Sequence, residues 1–410
     1  MLLGCYCNLP QKNSVDALTN QDIGLVIHST ITGHEESAWN KVVEGKGVFL
    51  SFPYLKALEQ ARIPGLTFRY ALLNINGEPV AVYCFQLVDL SFDGIGGILN
   101  LENYGGLSSS IAGTVNNLLF KKSDNSKPML LVCGSLLSSG EYGIVAKDDA
   151  STLKAFNHYL QIRDKIVAEL QGCRIVAEMV KDFYAHNKAL FFWSASKIGF
   201  PLRTDPEMIL ELDPDWKVFD DYLASLSSKY RVRANAVRKS AANLVERKLS
   251  LQDMEFAKSE MERLFAGVRD KAPIQVLKPE IDYLISLKKG LGDNFIVTAF
   301  YQEDKMVAFR SAIIGGIQLE AHFIGLDYEL NREFNLYQNI LYGLISDAIS
   351  CGVRRVMYGR TALEIKSTVG ATPHKLACYI RFQNKLLNTV VKTVVSGLGP
   401  KDWTPRSPFK

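Results

Sequence analysis

The chain has 410 residues, 47% of them apolar and 22% charged, which is enough for two domains with full cores. A net charge of +4 is too mild to mark a nucleic-acid binder, so any anion-binding role has to come from a local cluster. No run of about 18 apolar residues occurs, so no transmembrane segment is expected, and the opening MLLGCYCNLPQKN lacks the basic and apolar regions of a signal peptide. The seven cysteines are scattered, mostly in apolar runs such as VYCFQL and LLVCG, and read as reduced, buried thiols of a cytoplasmic protein. No HExxH or paired Cys/His spacing points to a metal.

Residues 1–20 are polar and aperiodic and read as a loose leader. Leu25 to Thr30 suits a strand. ESAWNKVVE and SFPYLKALEQA suit two short helices, with Ser51 as an N-cap ahead of Pro53. From Thr67 to Leu90, a strand, the turn NGEP and a second strand predict a hairpin. A glycine- and serine-rich stretch follows, DGIGGILNLENYGGLSSSIAG. The run from Pro128 to Gly134 predicts a buried strand, and a loop holding Gly140 and Gly143 leads into a helix from about Ser151 to Gln171. CRIVAEMV predicts a strand, and YAHNKALFFWSASKIG a helix stopped by Gly199. A domain boundary falls near Asp213-Pro214.

Beyond it, Tyr230, Ala234, Val237, Ala241 and Leu244 recur at helical spacing and predict a helix reaching about Lys248. Its other sides carry Lys229, Arg231, Arg233, Arg238, Lys239, Arg247 and Lys248 against only Glu246. A hairpin is expected from Asn294 to Ile314, then a strand in IQLEAHFIGLD, a helix from about Arg332 to Cys351, a strand in VRRVMYG and a short helix in TALEIKSTVG. In the last, Thr361 and Glu364 fit a capping box and Gly370 a C-terminal stop. Each half thus reads hairpin, strand, helix, strand, helix, which suggests two copies of one α/β unit. The expected division is a leader at 1–20, a first unit at 21–213, a second at 214–380 opening with the basic helix, and a tail at 381–410. That tail is apolar with lysines, and could pack or make peripheral contact with a membrane.

The order of elements is that of the GNAT acyltransferase core. The run LYQNILYGLISDAISCGVRRVMYGRTALEIKSTVGATPHKL also resembles the C-terminal signature of Fem-type aminoacyltransferases and related bacterial GNAT and peptidoglycan-biosynthesis-like proteins. Leu336 and Tyr337 open its helix, Gly352 ends it, Tyr358-Gly359-Arg360-Thr361 closes the strand, and Ile365-Lys366 and Gly370 follow. YLASLSSKYRVRANAVRK resembles the same family's basic helix, and the resemblance covers roughly Gln21 to His374.

It implies an α/β (α+β) fold of two tandem GNAT-like units, each a mixed, mainly antiparallel sheet flanked by helices. It implies an N-acyltransferase that moves an acyl group from a thioester donor to an amine by direct transfer, the acceptor being envelope-related or a metabolite. No tightly bound cofactor is expected, and acyl-CoA or another acyl donor would be the co-substrate. Two alternatives stand beside it: aminoacyl transfer from aminoacyl-tRNA, and a non-catalytic GNAT-like binding protein. The family's Q/R-x-x-G-x-G/A pyrophosphate motif has no counterpart at NREFNLYQN and only a loose one at GSLLSSGEYG, where Gly140 and Gly143 are candidate donor-phosphate contacts or a plain surface turn.

Such a transfer needs a base for the amine, a hold on the donor's anionic part and hydrogen-bond donors for the oxyanion. Glu320 and His322 would share one face of their strand, ~7 Å apart, as candidate bases, with Asp327 nearby. Tyr358 is a candidate proton donor to the leaving group, or a core aromatic. Arg360 and Lys366, with Tyr337, are candidate substrate contacts where a strand ends and a helix begins. The plainer reading of Arg360 is a surface arginine paired to an acid. Arg231 and Arg238 represent the basic helix, which would meet tRNA, an anionic sugar-phosphate or a membrane surface, or would simply be solvated.

Overall fold

The computed structural model describes residues 22–91, 126–184, 198–202, 204–271, 276–397 and 403–410. The expected leader, the glycine- and serine-rich stretch and the body of the helix expected from Tyr184 to Gly199 lie outside them. Strand β1 (Ile23–His28) is followed by helices α1 (Glu36–Val43) and α2 (Phe52–Gln60). The Ser51 hydroxyl accepts the Tyr54 N–H at 3.4 Å, so Ser51 caps α2 as its sequence suggested. Strands β2 (Leu66–Ile75) and β3 (Glu78–Asp89) form the hairpin. Its turn has positive φ at Asn76 (54°) and Gly77 (79°), the backbone that an Asn-Gly pair adopts most readily.

Strands β4 (Lys127–Cys133), β5 (Ile144–Ala146) and β6 (Cys173–Tyr184) enclose helix α3 (Asp149–Ala168), and β7 (Phe200–Leu202) and β8 (Glu207–Glu211) follow. The second half runs α4 (Phe219–Ser225), α5 (Ser228–Ser240), β9 (Val245–Lys248), α6 (Leu251–Phe256), α7 (Lys258–Arg269), α8 (Ile281–Leu291), β10 (Phe295–Gln302), β11 (Lys305–Gly315) and β12 (Gln318–Leu326). It closes with α9 (Tyr328–Phe334), α10 (Leu336–Ser350), β13 (Arg355–Met357), α11 (Leu363–Ser367), β14 (Thr372–His374), β15 (Leu376–Phe382) and α12 (Lys385–Gly397).

These strands build two mostly antiparallel sheets. The first has the order β1-β2-β3-β4-β6-β15-β7, with β5 on β3, and the second β14-β8-β13-β12-β11-β10-β9. Each contains one parallel pair, β4 beside β6 and β12 beside β13, because a helix crosses over between those strands. Helices flank both sheets, which is the tandem α/β architecture expected.

The sheets do not part at Asp213. Strand β8, before that residue, sits between β13 and β14 of the second sheet, whereas β15, late in the chain, lies between β6 and β7 of the first. Each sheet therefore holds a strand from the far side of the expected boundary. One hydrophobic cluster likewise draws from both halves, joining Leu55 and Leu58 of α2 to Leu284 and Leu287 of α8.

Three local expectations are corrected. The basic helix ends at Ser240, and Val245–Lys248 becomes strand β9 because the free edge of β10 offers it a ladder, with Thr298 to Tyr301 opposite. The helix expected from Arg332 breaks at Asn335, whose φ of 47° is left-handed; α9 and α10 are separate helices. The Thr361–Glu364 capping box does not form. Thr361 and Ala362 both have positive φ, α11 starts at Leu363 without a side-chain cap, and Glu364 instead pairs with Arg406.

Candidate functional site

Glu320 is the last residue of β12 to pair with β13. Gln318, Leu319 and Glu320 face Arg355, Val356 and Met357, after which the two strands part. The continuation of β13 leans to β8 instead: the Tyr358 N–H reaches the Met208 carbonyl at 2.8 Å, and the Met208 N–H reaches that of Gly359 at 3.0 Å. On its other side β12 carries a bulge opposite Ser311, whose hydroxyl accepts the Phe323 N–H at 3.0 Å and donates to the Phe323 carbonyl at 2.6 Å. Splay and bulge together turn the middle of β12 toward the first unit.

There Glu320 and His322 meet residues of the first half, on one side of the strand as expected. The Tyr142 hydroxyl donates to Glu320 Oε1 at 3.4 Å, Gln318 Nε2 donates to the same oxygen at 2.7 Å, and the Phe49 ring lies 6.0 Å from the His322 ring. Glu320 is 5% exposed. Burial, and then the neighbouring Glu207, push its carboxyl well above the usual carboxylate range. Glu207 is fully buried as well, with Oε2 accepting from the Tyr184 hydroxyl at 2.6 Å and Oε1 without a hydrogen-bond partner among the described residues. Burial raises it too.

His322 has a different character. Its Nε2 shares a 2.8 Å hydrogen bond with the Tyr283 hydroxyl, which in turn lies 3.2 Å from that of Tyr54 on α2. Rings of Phe49, Tyr283, Phe295 and Phe323 surround it, and this desolvation pulls its pKa down to about 3. An imidazole so reluctant to take a proton is a poor general base. Asp327 is a cap, its Oδ1 accepting from the Glu329 N–H at 3.1 Å.

The remaining expected residues go elsewhere. The Tyr358 hydroxyl donates to the Leu341 carbonyl at 2.9 Å inside the second core, under α10, so Tyr358 is the core aromatic. Tyr337 packs against that core, and burial pushes its pKa up to about 12. Lys366 is 5% exposed, and its Nζ donates to the carbonyls of Tyr358 at 2.8 Å and Arg360 at 2.5 Å. It staples the irregular turn formed by Gly359, Thr361 and Ala362, all at positive φ, rather than facing a ligand. Burial lowers its pKa to about 7.

Arg360 pairs with Asp182, which is fully buried and also receives Lys181, the Cys378 thiol at 3.0 Å and the Gly140 N–H at 3.4 Å. Gly140 and Gly143 are buried against protein. A Cβ on Gly140 would meet the Tyr142 ring at 2.7 Å, and one on Gly143 the Cys133 carbonyl at 2.8 Å. They allow close packing and do not present backbone to a phosphate. Arg238 lies 3.6 Å from Asp220 and over the Phe219 ring, and Arg231 is half-buried on the same side of α5.

The cluster that sequence reasoning missed is thus Tyr142, Asp182, Tyr184 and Glu207. Its signal was present: an acid inside an apolar run, as in VAEMVKDFY and PEMILEL, is expensive unless it is paired or put to use. Beside the cluster, a groove of about 1080 Å³ runs between the halves, with Gly47 and Val48 on one wall and Gly315, Gly316, Gln318 and Arg355 on the other. Tyr142 stands behind Gly47, 3.3 Å from where its Cβ would be, and Glu320 behind Gln318. The buried carboxyl therefore lies one side chain beneath the groove floor.

No family model matches the sequence, and no curated protein matches it either. Among solved structures, FemX matches with a TM-score of 0.50 at 11% identity, over 83% of this chain and 94% of that one. A tandem GNAT protein from the clavulanic acid biosynthesis pathway matches at 0.46 and 7% identity, over 88% of this chain and 99% of that one. The C-terminal domain of a putative lysylphosphatidylglycerol synthetase from Agrobacterium fabrum matches at 0.40 and 10%, over 66% and 82%. The chain has the fold of FemX; at these identities the likeness reaches no further than the fold.

Proposed function

We propose that this protein is an N-acyltransferase that moves an acyl group from an activated donor to an amine in the groove between its halves, with Glu320 as the base. The observation that carries the reading is the Glu320 carboxyl, held beneath the groove floor with its proton affinity raised. A carboxylate of raised pKa is better matched to an attacking amine than an ordinary one. Glu320 takes a proton from the nitrogen as the bond to the acyl carbon forms. The bond from that carbon to the carrier's sulfur or oxygen breaks, and the proton passes to the leaving group. No covalent enzyme intermediate is needed. Fold and site together support this, and the acceptor class, an envelope-related or metabolite amine, rests on the family resemblance.

One observation favours aminoacyl-tRNA or a carrier protein over free acyl-CoA as the donor. The helix N-termini that would cradle a pyrophosphate carry their own side-chain acceptors: Asp148 Oδ1 takes the Ser151 N–H at 2.8 Å at the start of α3, and Asn331 Oδ1 takes the Tyr337 N–H at 2.9 Å at the start of α10. The test is acyl transfer from each donor class to a panel of amines, read by release of the carrier thiol or of deacylated tRNA. Turnover that Glu320→Gln lowers ~100-fold or more supports the assignment. Absence of turnover with every donor, in a protein that still binds one, would leave a binding protein.

A further inference from the structure

A second cavity lies away from the groove. It encloses about 450 Å³ between the first turns of α5, helix α11 and the C-terminal segment at 403–410. That volume suits a small molecule. Its lining includes Lys229, Arg233 and Arg406, with Glu364 as the one acid among the described residues and Tyr230 and Ile365 as the apolar surface.

The cations of α5 sort by helical period. At ~100° per residue, Tyr230, Ala234 and Val237 point into the core, Lys229 and Arg233 fall along one margin of that stripe, and Arg231 and Arg238 along the other. Arg238 lies near Asp220, whereas among the described residues neither Lys229 nor Arg233 has a carboxylate within ion-pair distance. Two like charges at i and i+4 repel in a bare helix. Here they face the cavity together, and the opposite wall adds a third cation, Arg406, whose Nε donates to Glu364 Oε1 at 3.1 Å. That wall is firmly placed: Ser367 Oγ accepts the Arg406 N–H at 3.0 Å, the Ser227 N–H reaches the Pro408 carbonyl at 2.9 Å, and Phe409 packs into the second core.

We propose that this cavity binds the phosphate group of a small organic phosphate, the charge lying between Lys229, Arg233 and Arg406 and the organic part against Tyr230 and Ile365. Three cations against one acid leave a net charge of +2, which suits a phosphate monoester dianion or a pyrophosphate. Extended RNA would instead use both margins of α5.

The experiment titrates the full chain by calorimetry with ADP, glucose 6-phosphate and a short RNA hairpin. Saturable one-to-one binding of ADP or of glucose 6-phosphate is expected, and whichever binds identifies the nucleotide or the sugar as the organic part. Arg233→Ala and Lys229→Ala, both exposed, should each weaken binding ~10-fold with melting unchanged, Glu364→Gln should tighten it, and Arg231→Ala and Arg238→Ala should leave it within ~2-fold. Failure of both organic phosphates to saturate, equal weakening by substitutions on the two margins, or binding of the RNA alone would overturn the proposal.

Discussion

Arg360 and Asp182 lie 178 residues apart in sequence and form an ion pair between the turn after β13 and the end of β6. Asp182 is wholly buried and sits in a β-bulge with a φ of 61°, where Lys181 and Asp182 together oppose Cys378. A non-glycine residue in that conformation is held there by its surroundings, and the result is a carboxylate aimed from the first sheet into the second unit. Asp182→Asn leaves both Arg360 and Lys181 without their acid and should lower stability by ~3–5 kcal/mol, whereas Arg360→Met leaves Asp182 with Lys181 and should cost less. The double variant should lose clearly less than the sum of the two. Urea unfolding of all four proteins gives the coupling, and strict additivity would show that the pair is not a unit.

Glu320 links the site to pH. Its folded pKa lies above the unfolded value of 4.5, so its contribution to stability is fully present below that value and is lost as pH rises through the folded one. Glu320→Gln escapes this loss. The variant should gain on the wild type as pH rises from about 4.5 through the raised folded pKa, seen as a growing difference in urea midpoints, while transfer falls ~100-fold or more. A difference that stays flat with pH would mean that the carboxyl ionises normally.

Lys366 shifts in the opposite sense. Its folded pKa of about 7 lies below the unfolded 10.5, so its contribution is present above 10.5 and is lost as pH falls through about 7. Lys366→Met leaves the Tyr358 and Arg360 carbonyls without that donor and should cost ~1–3 kcal/mol at pH 9.5. The deficit should shrink toward pH 6, where the wild type must charge a buried amine. A deficit that grows as pH falls would point to a charged lysine engaged with an acid.

Gly143→Ala separates packing from donor binding. The new methyl would press on the Cys133 carbonyl at 2.8 Å and should cost ~1–3 kcal/mol in thermal or urea unfolding. The KM for the acyl donor should change little. An unchanged melting curve with a raised donor KM would restore the phosphate-loop reading.

The parts of the fold legible in the sequence are those decided locally. Asn76-Gly77 specifies its hairpin, and Ser51 with Pro53 specifies the start of α2. What escaped depends on distant partners. Val245 to Lys248 carried a helical pattern, but the edge of β10 recruited them. A period-two pattern tells which side of a strand is buried, and says nothing of which sheet it joins, so the exchange of β8 and β15 left no local mark. The site was half legible for the same reason. Glu320 and His322 could be placed on one side of a strand, but Tyr142, Asp182 and Glu207 join them only through the tertiary fold. Arg360 and Lys366 looked alike as cations, and only their partners separate a bridge between units from a staple within a turn.

The exchanged strands also bear on how the molecule is made. When residue 213 leaves the ribosome, the first sheet has β6 but not its neighbour β15, which is translated more than 160 residues later. Until then β6 is an open edge, and β8 has no sheet to enter. The N-terminal half therefore cannot mature by itself during synthesis, and the two halves must reach their final form together. Contacts of such long sequence separation make for slow folding, with sticky edges exposed meanwhile. A chaperone that shields the nascent first half should raise the yield of this protein more than that of a tandem protein whose halves keep their own strands.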